Sequence, residues 1–87
     1  MKNKVWVAKF IQKDYFEVEI ICVSKSKEKV LIKTEDDILQ YIADAKREGE
    51  NLEFPKRECD RDERIFYKLN PSYASVIWDI TQEDLYE

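Results

Sequence analysis

From Val5 to Val23 apolar and polar side chains alternate with a period of two, interrupted once at Gln12-Lys13-Asp14-Tyr15. That period belongs to strands, whose successive side chains point to opposite faces. The interruption predicts a hairpin turn, with Asp14 tolerating an unusual backbone conformation. With Gln12 facing Tyr15, Ile11 falls opposite Phe16, Val7 opposite Ile20 and Val5 opposite Cys22. One face is then apolar except for Lys9 beside Val18, while the other pairs Phe10 with Glu17, Ala8 with Glu19 and Trp6 with Ile21.

Ser24 to Lys29 reads as a polar connector, and Val30-Leu31-Ile32 as a short strand in preference to a first helical turn. A helix is predicted next. Thr34 caps it, Glu35, Asp36 and Asp37 fill its first turn, Lys46 and Arg47 lie near its end, and Gly49 stands where a left-handed C-terminal cap is wanted. Ile38, Leu39, Ile42 and Ala45 form its apolar stripe. Residues 50–63 read as a charged loop broken by Pro55 and anchored by Leu52 and Phe54. Alternation returns from Arg64 to Leu69, turns at Asn70-Pro71-Ser72, and places Ala74, Val76, Trp78 and Ile80 on one side of a last strand. Thr81 and Asp84 have capping-box spacing for a terminal helical turn that would tuck in Leu85.

These elements predict an α+β fold. An antiparallel sheet of four or five strands carries one helix on one face, in the order ββ(β)αββ plus a short C-terminal helical turn. The other face is left over, and Trp6, Phe10 and Ile21, joined by Phe66, are assigned to it.

Eighty-seven residues bound the expectation to one domain, 1–87, because a chain this short buries only roughly 60–65% of its unfolded surface. With 44% hydrophobic residues it has the material for a core. Two distant cysteines, Cys22 and Cys59, make no disulfide framework and read as free thiols. No apolar run is long enough for a leader or membrane span, so a cytoplasmic protein is expected. Net charge is −4, but unevenly spread. Residues 1–33 hold eight lysines against Asp14, Glu17, Glu19 and Glu28, a balance of +4, which leaves −8 for residues 34–87.

The chain has no histidine and one glycine. The first removes the usual general base and the Ser-His and Cys-His nucleophile pairs. The second removes glycine-rich phosphate loops. No catalysis and no cofactor are therefore expected. Carboxylates cluster at Asp36-Asp37, at Asp60, Asp62 and Glu63, and at Glu83-Asp84. The first and last read as helix N-terminal charge, and the middle group is interleaved with arginines that compete with a cation. Cys22 reads as buried and inert. Cys59, between Glu58 and Asp60, reads as exposed, with neighbours that discourage a thiolate.

Binding remains. A protein partner would meet the acidic residues Glu58, Asp60, Asp62, Glu63, Glu83 and Asp84, together with Trp6 and Phe10 of the spare face. The alternative is nucleic acid held by Lys25, Lys27, Lys29 and Lys33, disfavoured by the acidity of the rest. A homodimer through the spare face or an edge strand, and a small-ligand pocket at its interface, are further alternatives.

The order of parts resembles a known group. Lys4-Val5-Trp6-Val7, a hairpin, a connector and helix, and a closing W-x-I-x-x-x-x-L from Trp78 to Leu85 are similar to short bacteriophage and mobile-element proteins. Among such proteins are inhibitors of bacterial defence, including anti-CRISPR proteins. The resemblance implies a non-catalytic inhibitor or adaptor that blocks a basic, nucleic-acid-binding surface of a host defence protein. It carries over no site residue.

Overall fold

The computed structural model describes residues 3–15, 17–60, 63–72 and 75–85. Strands β1 (Asn3–Gln12) and β2 (Glu17–Ser24) are joined through a 3-10 turn at Lys13–Tyr15 and followed by helix α1 (Lys27–Arg47). Then come β3 (Glu58–Cys59), β4 (Ile65–Leu69) and β5 (Val76–Leu85). All five strands form one antiparallel sheet in the order β2-β1-β5-β4-β3. The fold is α+β as predicted, with element order β-β-α-β-β-β.

The cap of helix α1 lies eight residues before the predicted one. Ser26 is the N-cap, its side chain accepting from the Lys29 amide. Val30-Leu31-Ile32 is therefore helical, and the strand expected there is corrected. The alternating lysines imitate a period of two, but Val30, Thr34, Ile38 and Ala45 fit the helical period and are the buried positions of α1. Thr34, expected as the cap, is fully buried, and its hydroxyl donates to the Val30 carbonyl at 2.7 Å. Leu39, expected in the stripe, is exposed. The C-terminus follows the prediction: Gly49 has φ +92, its amide bonds the Lys46 carbonyl, and the Glu50 amide reaches back to Ala45. This double closure is the Schellman arrangement.

The first hairpin keeps its strands but changes register. Gln12 pairs with Glu17 and Ile11 with Val18, so the connection is longer than expected. A bulge between Ala8 and Lys9 on one side and Cys22 and Ile20 on the other leaves Ile21 over. Because a one-residue slip exchanges faces, Cys22 joins Ala8 and Val23 joins Val7. Ile11, expected opposite Phe16, instead has Val18 as its partner, and Phe16 itself lies outside the described residues. Asp14 binds away from its own turn, accepting from the Ser75 amide at 3.0 Å.

Trp6, Ala8 and Phe10 of β1, Trp78 and Ile80 of β5, and Ile65, Tyr67 and Leu69 of β4 face α1 and form the core. This corrects the assignment of Trp6 and Phe10 to an uncovered face: Trp6 is buried, and Phe10 lies 5.1 Å from Trp78 and 5.8 Å from Tyr41, ring centre to ring centre. Ile21 also packs on the core. Trp78 and Tyr67 are its largest fully buried side chains, each worth roughly 1.5–3 kcal/mol or more of transfer free energy.

The segment after α1 continues the cover over β4. Leu52 packs on the core, Pro55 is buried, and Phe54 meets the Tyr67 ring edge-on at 6.2 Å. Arg57 donates from Nε to the Tyr67 hydroxyl at 3.0 Å and reaches Glu35 of α1 at 3.2 Å. The Tyr67 hydroxyl holds the Arg57 guanidinium above its ordinary range, while burial pushes the Tyr67 phenol up. The two-residue strand β3 was not anticipated in this segment. Nor is there a terminal helical turn: Thr81 to Leu85 continues β5, because β1 runs alongside and pairs Asn3 with Leu85. Ala74 lies outside the described residues.

Candidate functional site

With α1 and the following segment on one face, the opposite face of the sheet carries no covering element among the described residues. Its membership follows from the pairing. Cross-strand rows run Glu58, Phe66, Asp79, Lys9, Ile20 and Lys68, Ile77, Ile11, Val18, with Val23, Val7 and Thr81 forming a third. Ion pairs stitch its middle: Lys9 with Glu83 at 3.5 Å, and Arg64 with the buried Asp79. The Arg64 guanidinium and the Lys68 ammonium stand 5.4 and 5.1 Å from the Phe66 ring centre. Beside them Ile11, Lys13, Arg64, Phe66, Lys68 and Ile77 line a cleft of about 250 Å³.

Strand β2 is one edge of the sheet, hydrogen-bonded to β1 alone. It carries three of the exposed large hydrophobic residues, Val18 at 58%, Ile20 at 66% and Val23 at 54%. An edge strand with this character is a template for pairing with another chain. Where β2 meets α1, the seam has two ends of opposite chemistry. Towards Ser24 a groove of about 310 Å³ is lined by Cys22, Val23, Ser24, Ile32, Lys29 and Lys33. Towards Glu17 a second groove is lined by Phe10, Glu19, Asp37, Gln40, Tyr41 and Asp44.

The predicted basic set is thus only partly gathered. Lys29 and Lys33 share the first groove, and Lys25 is exposed in the connector. Lys27 turns to the other side and lies 5.1 Å over the Trp6 ring. The predicted acidic set is also divided. Glu58 lies on β3, and Asp60 in the β3–β4 turn accepts from the Arg64 amide at 3.2 Å. Glu63 occupies the left-handed region at φ 61 in the same turn. Glu83 and Asp84 sit on β5, paired with Val5 and Lys4 of β1. Asp62 lies outside the described residues. Asp37, read as solvated helix-terminal charge, instead accepts from the buried Trp78 indole at 2.9 Å. Among the described residues, no group of three or more acidic or cysteine side chains is placed to hold a metal ion, and no helix is long and apolar enough to cross a membrane. Cys22 is half-buried in the first groove and Cys59 is exposed.

Sequence reasoning missed the β2 edge because edge position depends on which strand β1 pairs with on its far side. The bulge at Ile21 leaves no mark in the alternation. Compared with known proteins, the chain matches no family model, no curated protein and no solved structure.

Proposed function

We propose that this chain is a non-catalytic protein-binding domain, an inhibitor or adaptor, whose partner docks on the sheet face opposite α1. The observation that carries the reading is the apolar cleft at Ile11, Ile77 and Phe66, rimmed by Lys13, Arg64 and Lys68, on a face without a covering element among the described residues. Such a surface suits an apolar anchor flanked by carboxylates. Glu58, in register with Phe66 on that face, and Asp60 and Glu63 in the adjoining turn extend the rim with negative charge for basic groups of the same partner. The similarity to small phage proteins makes a host nucleic-acid-binding defence protein the class to test first.

The test compares the unaltered chain with an Ile11→Asp/Phe66→Glu variant in affinity capture from bacterial lysate at low salt. The expected result is a protein retained by the first and lost by the second, with both equally folded by circular dichroism. Capture of no protein, or equal capture by both, overturns the reading.

A further inference from the structure

We infer that the chain forms a two-fold symmetric homodimer by antiparallel pairing of β2 with β2 of a second copy, Val18 opposite Val23 and Glu19 opposite Cys22. This goes beyond the proposed function, since it uses the edge of the sheet rather than its face.

Charge selects the partner. Along the β2 edge, one end is acidic through Glu17 and Glu19, with Asp37 and Asp44 across the groove. The other end is basic through Lys25, Lys29 and Lys33, the last two lining the groove beside Ser24. An antiparallel two-fold axis through such an edge sets each acidic end against a basic end, twice over. A uniformly acidic foreign strand matches one end and is repelled by the other. The edge is therefore complementary to itself.

The faces select the register. Val18, Ile20 and Val23 lie on the face away from α1, while Glu17, Glu19, Cys22 and Ser24 lie on the helix side, with Ile21 the extra residue of the bulge. Pairing that keeps both faces consistent sets Val18 opposite Val23, Glu19 opposite Cys22 and Glu17 opposite Ser24 of the second copy. Glu17 and Glu19 then enter the groove bearing Lys29 and Lys33 of the second copy. Bulges on edge strands ordinarily discourage pairing. Here both fall at the axis, where Ile20 meets Ile21, and the ladders on either side stay regular. The exposed aliphatic side chains of β2, three from each copy, are gathered on one side of the joint.

The experiment is solution mass by sedimentation equilibrium at tens of micromolar, with charge-reversed variants. The 10.5 kDa chain is expected at twice that mass. Glu17→Lys/Glu19→Lys and Lys29→Glu/Lys33→Glu should each be folded monomers, and mixing them should restore the doubled mass, because both joints of the mixed pair are then complementary. Glu19→Cys in a Cys59→Ser background should form a covalent dimer through Cys22 under a mild thiol oxidant, since directly opposed Cα atoms lie roughly 4.5–5.5 Å apart, within disulfide reach. A monomer for the unaltered chain, or a dimer indifferent to both charge reversals, overturns the inference. So does a mixture that stays monomeric. If the chain is monomeric and its β2 edge instead binds an added acidic peptide, the edge belongs to a foreign strand and the inference again falls. Loss of lysate capture by the Ile11→Asp/Phe66→Glu variant is read separately, so either idea can fail alone.

Discussion

The indole Nε1–H of Trp78 donates to Oδ2 of Asp37 at 2.9 Å, tying the start of β5 to the middle of α1. Trp78 is fully buried and boxed by Phe10 and by Tyr41, whose ring meets it edge-on at 5.3 Å. With Asp37 in place the indole has no exposed surface, so the carboxylate is its acceptor. Asp37→Ala should cost about 1–3 kcal/mol, the price of a stranded buried donor, and Asp37→Asn, which keeps an acceptor oxygen, about 1 kcal/mol or less. Asp36→Ala, at the exposed neighbour, should stay within about 0.5 kcal/mol. Urea unfolding followed by tryptophan fluorescence measures all three, and equal costs for Asp36→Ala and Asp37→Ala would remove the bond from the account of stability.

Gly49 holds φ +92, and beyond its own chain neighbours no atom lies within 4 Å of where a Cβ would sit. A substitution there meets backbone strain and no crowding. Gly49→Ala should therefore destabilise by about 1–2 kcal/mol, the cost of a left-handed L-residue, and Gly49→Asn by less, since Asn tolerates that region. The denaturant midpoint should shift with its slope unchanged.

Gly49 was legible because a lone glycine after a basic helical turn has one common use. The second hairpin was legible for a similar reason: Ile65, Tyr67 and Leu69, and then Val76, Trp78 and Ile80, recur at every second position, and Tyr67 pairs with Trp78 on the core side. The helix start was not. A buried threonine looks like a cap until its hydroxyl is seen returning to the Val30 carbonyl, and serine at 26 lacks the acidic residue three positions on that completes a capping box. The face assignment failed because both faces of β1 are apolar, Val5 and Val7 on one and Trp6 and Ala8 on the other, all buried. Periodicity reports that two faces exist and is silent on which one meets the helix.

Glu50 accepts from both the amide and the hydroxyl of Ser72, which hold its carboxyl below the usual 4.5. Its folded value lies under its unfolded one, so this contribution is present above pH 4.5 and fades as pH falls through the lower folded value. Tyr67 is the opposite case. Burial raises its phenol above 10.0, and the stability that depends on its neutral form is present below pH 10 and lost as pH rises through the folded value. Ser72→Ala should flatten the acid limb of the stability profile and leave the alkaline limb alone, whereas Tyr67→Phe should do the reverse. Thermal melts between pH 2.5 and 11 separate the two.

Arg64 pairs with Asp79 on the face opposite the helix, where the Asp79 carboxylate is nearly buried and Arg64 is partly open to water. Removing one partner of such a pair strands the other, and the stranded group decides the cost. Arg64→Met keeps the aliphatic cover over Phe66 but leaves the carboxylate alone, so it should cost about 2–3 kcal/mol, below the roughly 3–5 of a pair fully shut from water. Asp79→Asn removes the charge that needs a partner. The double variant Arg64→Met/Asp79→Asn should therefore be more stable than Arg64→Met alone, an interaction visible in a double-mutant cycle. Strict additivity of the two substitutions would mean that water screens the carboxylate as well as the arginine does.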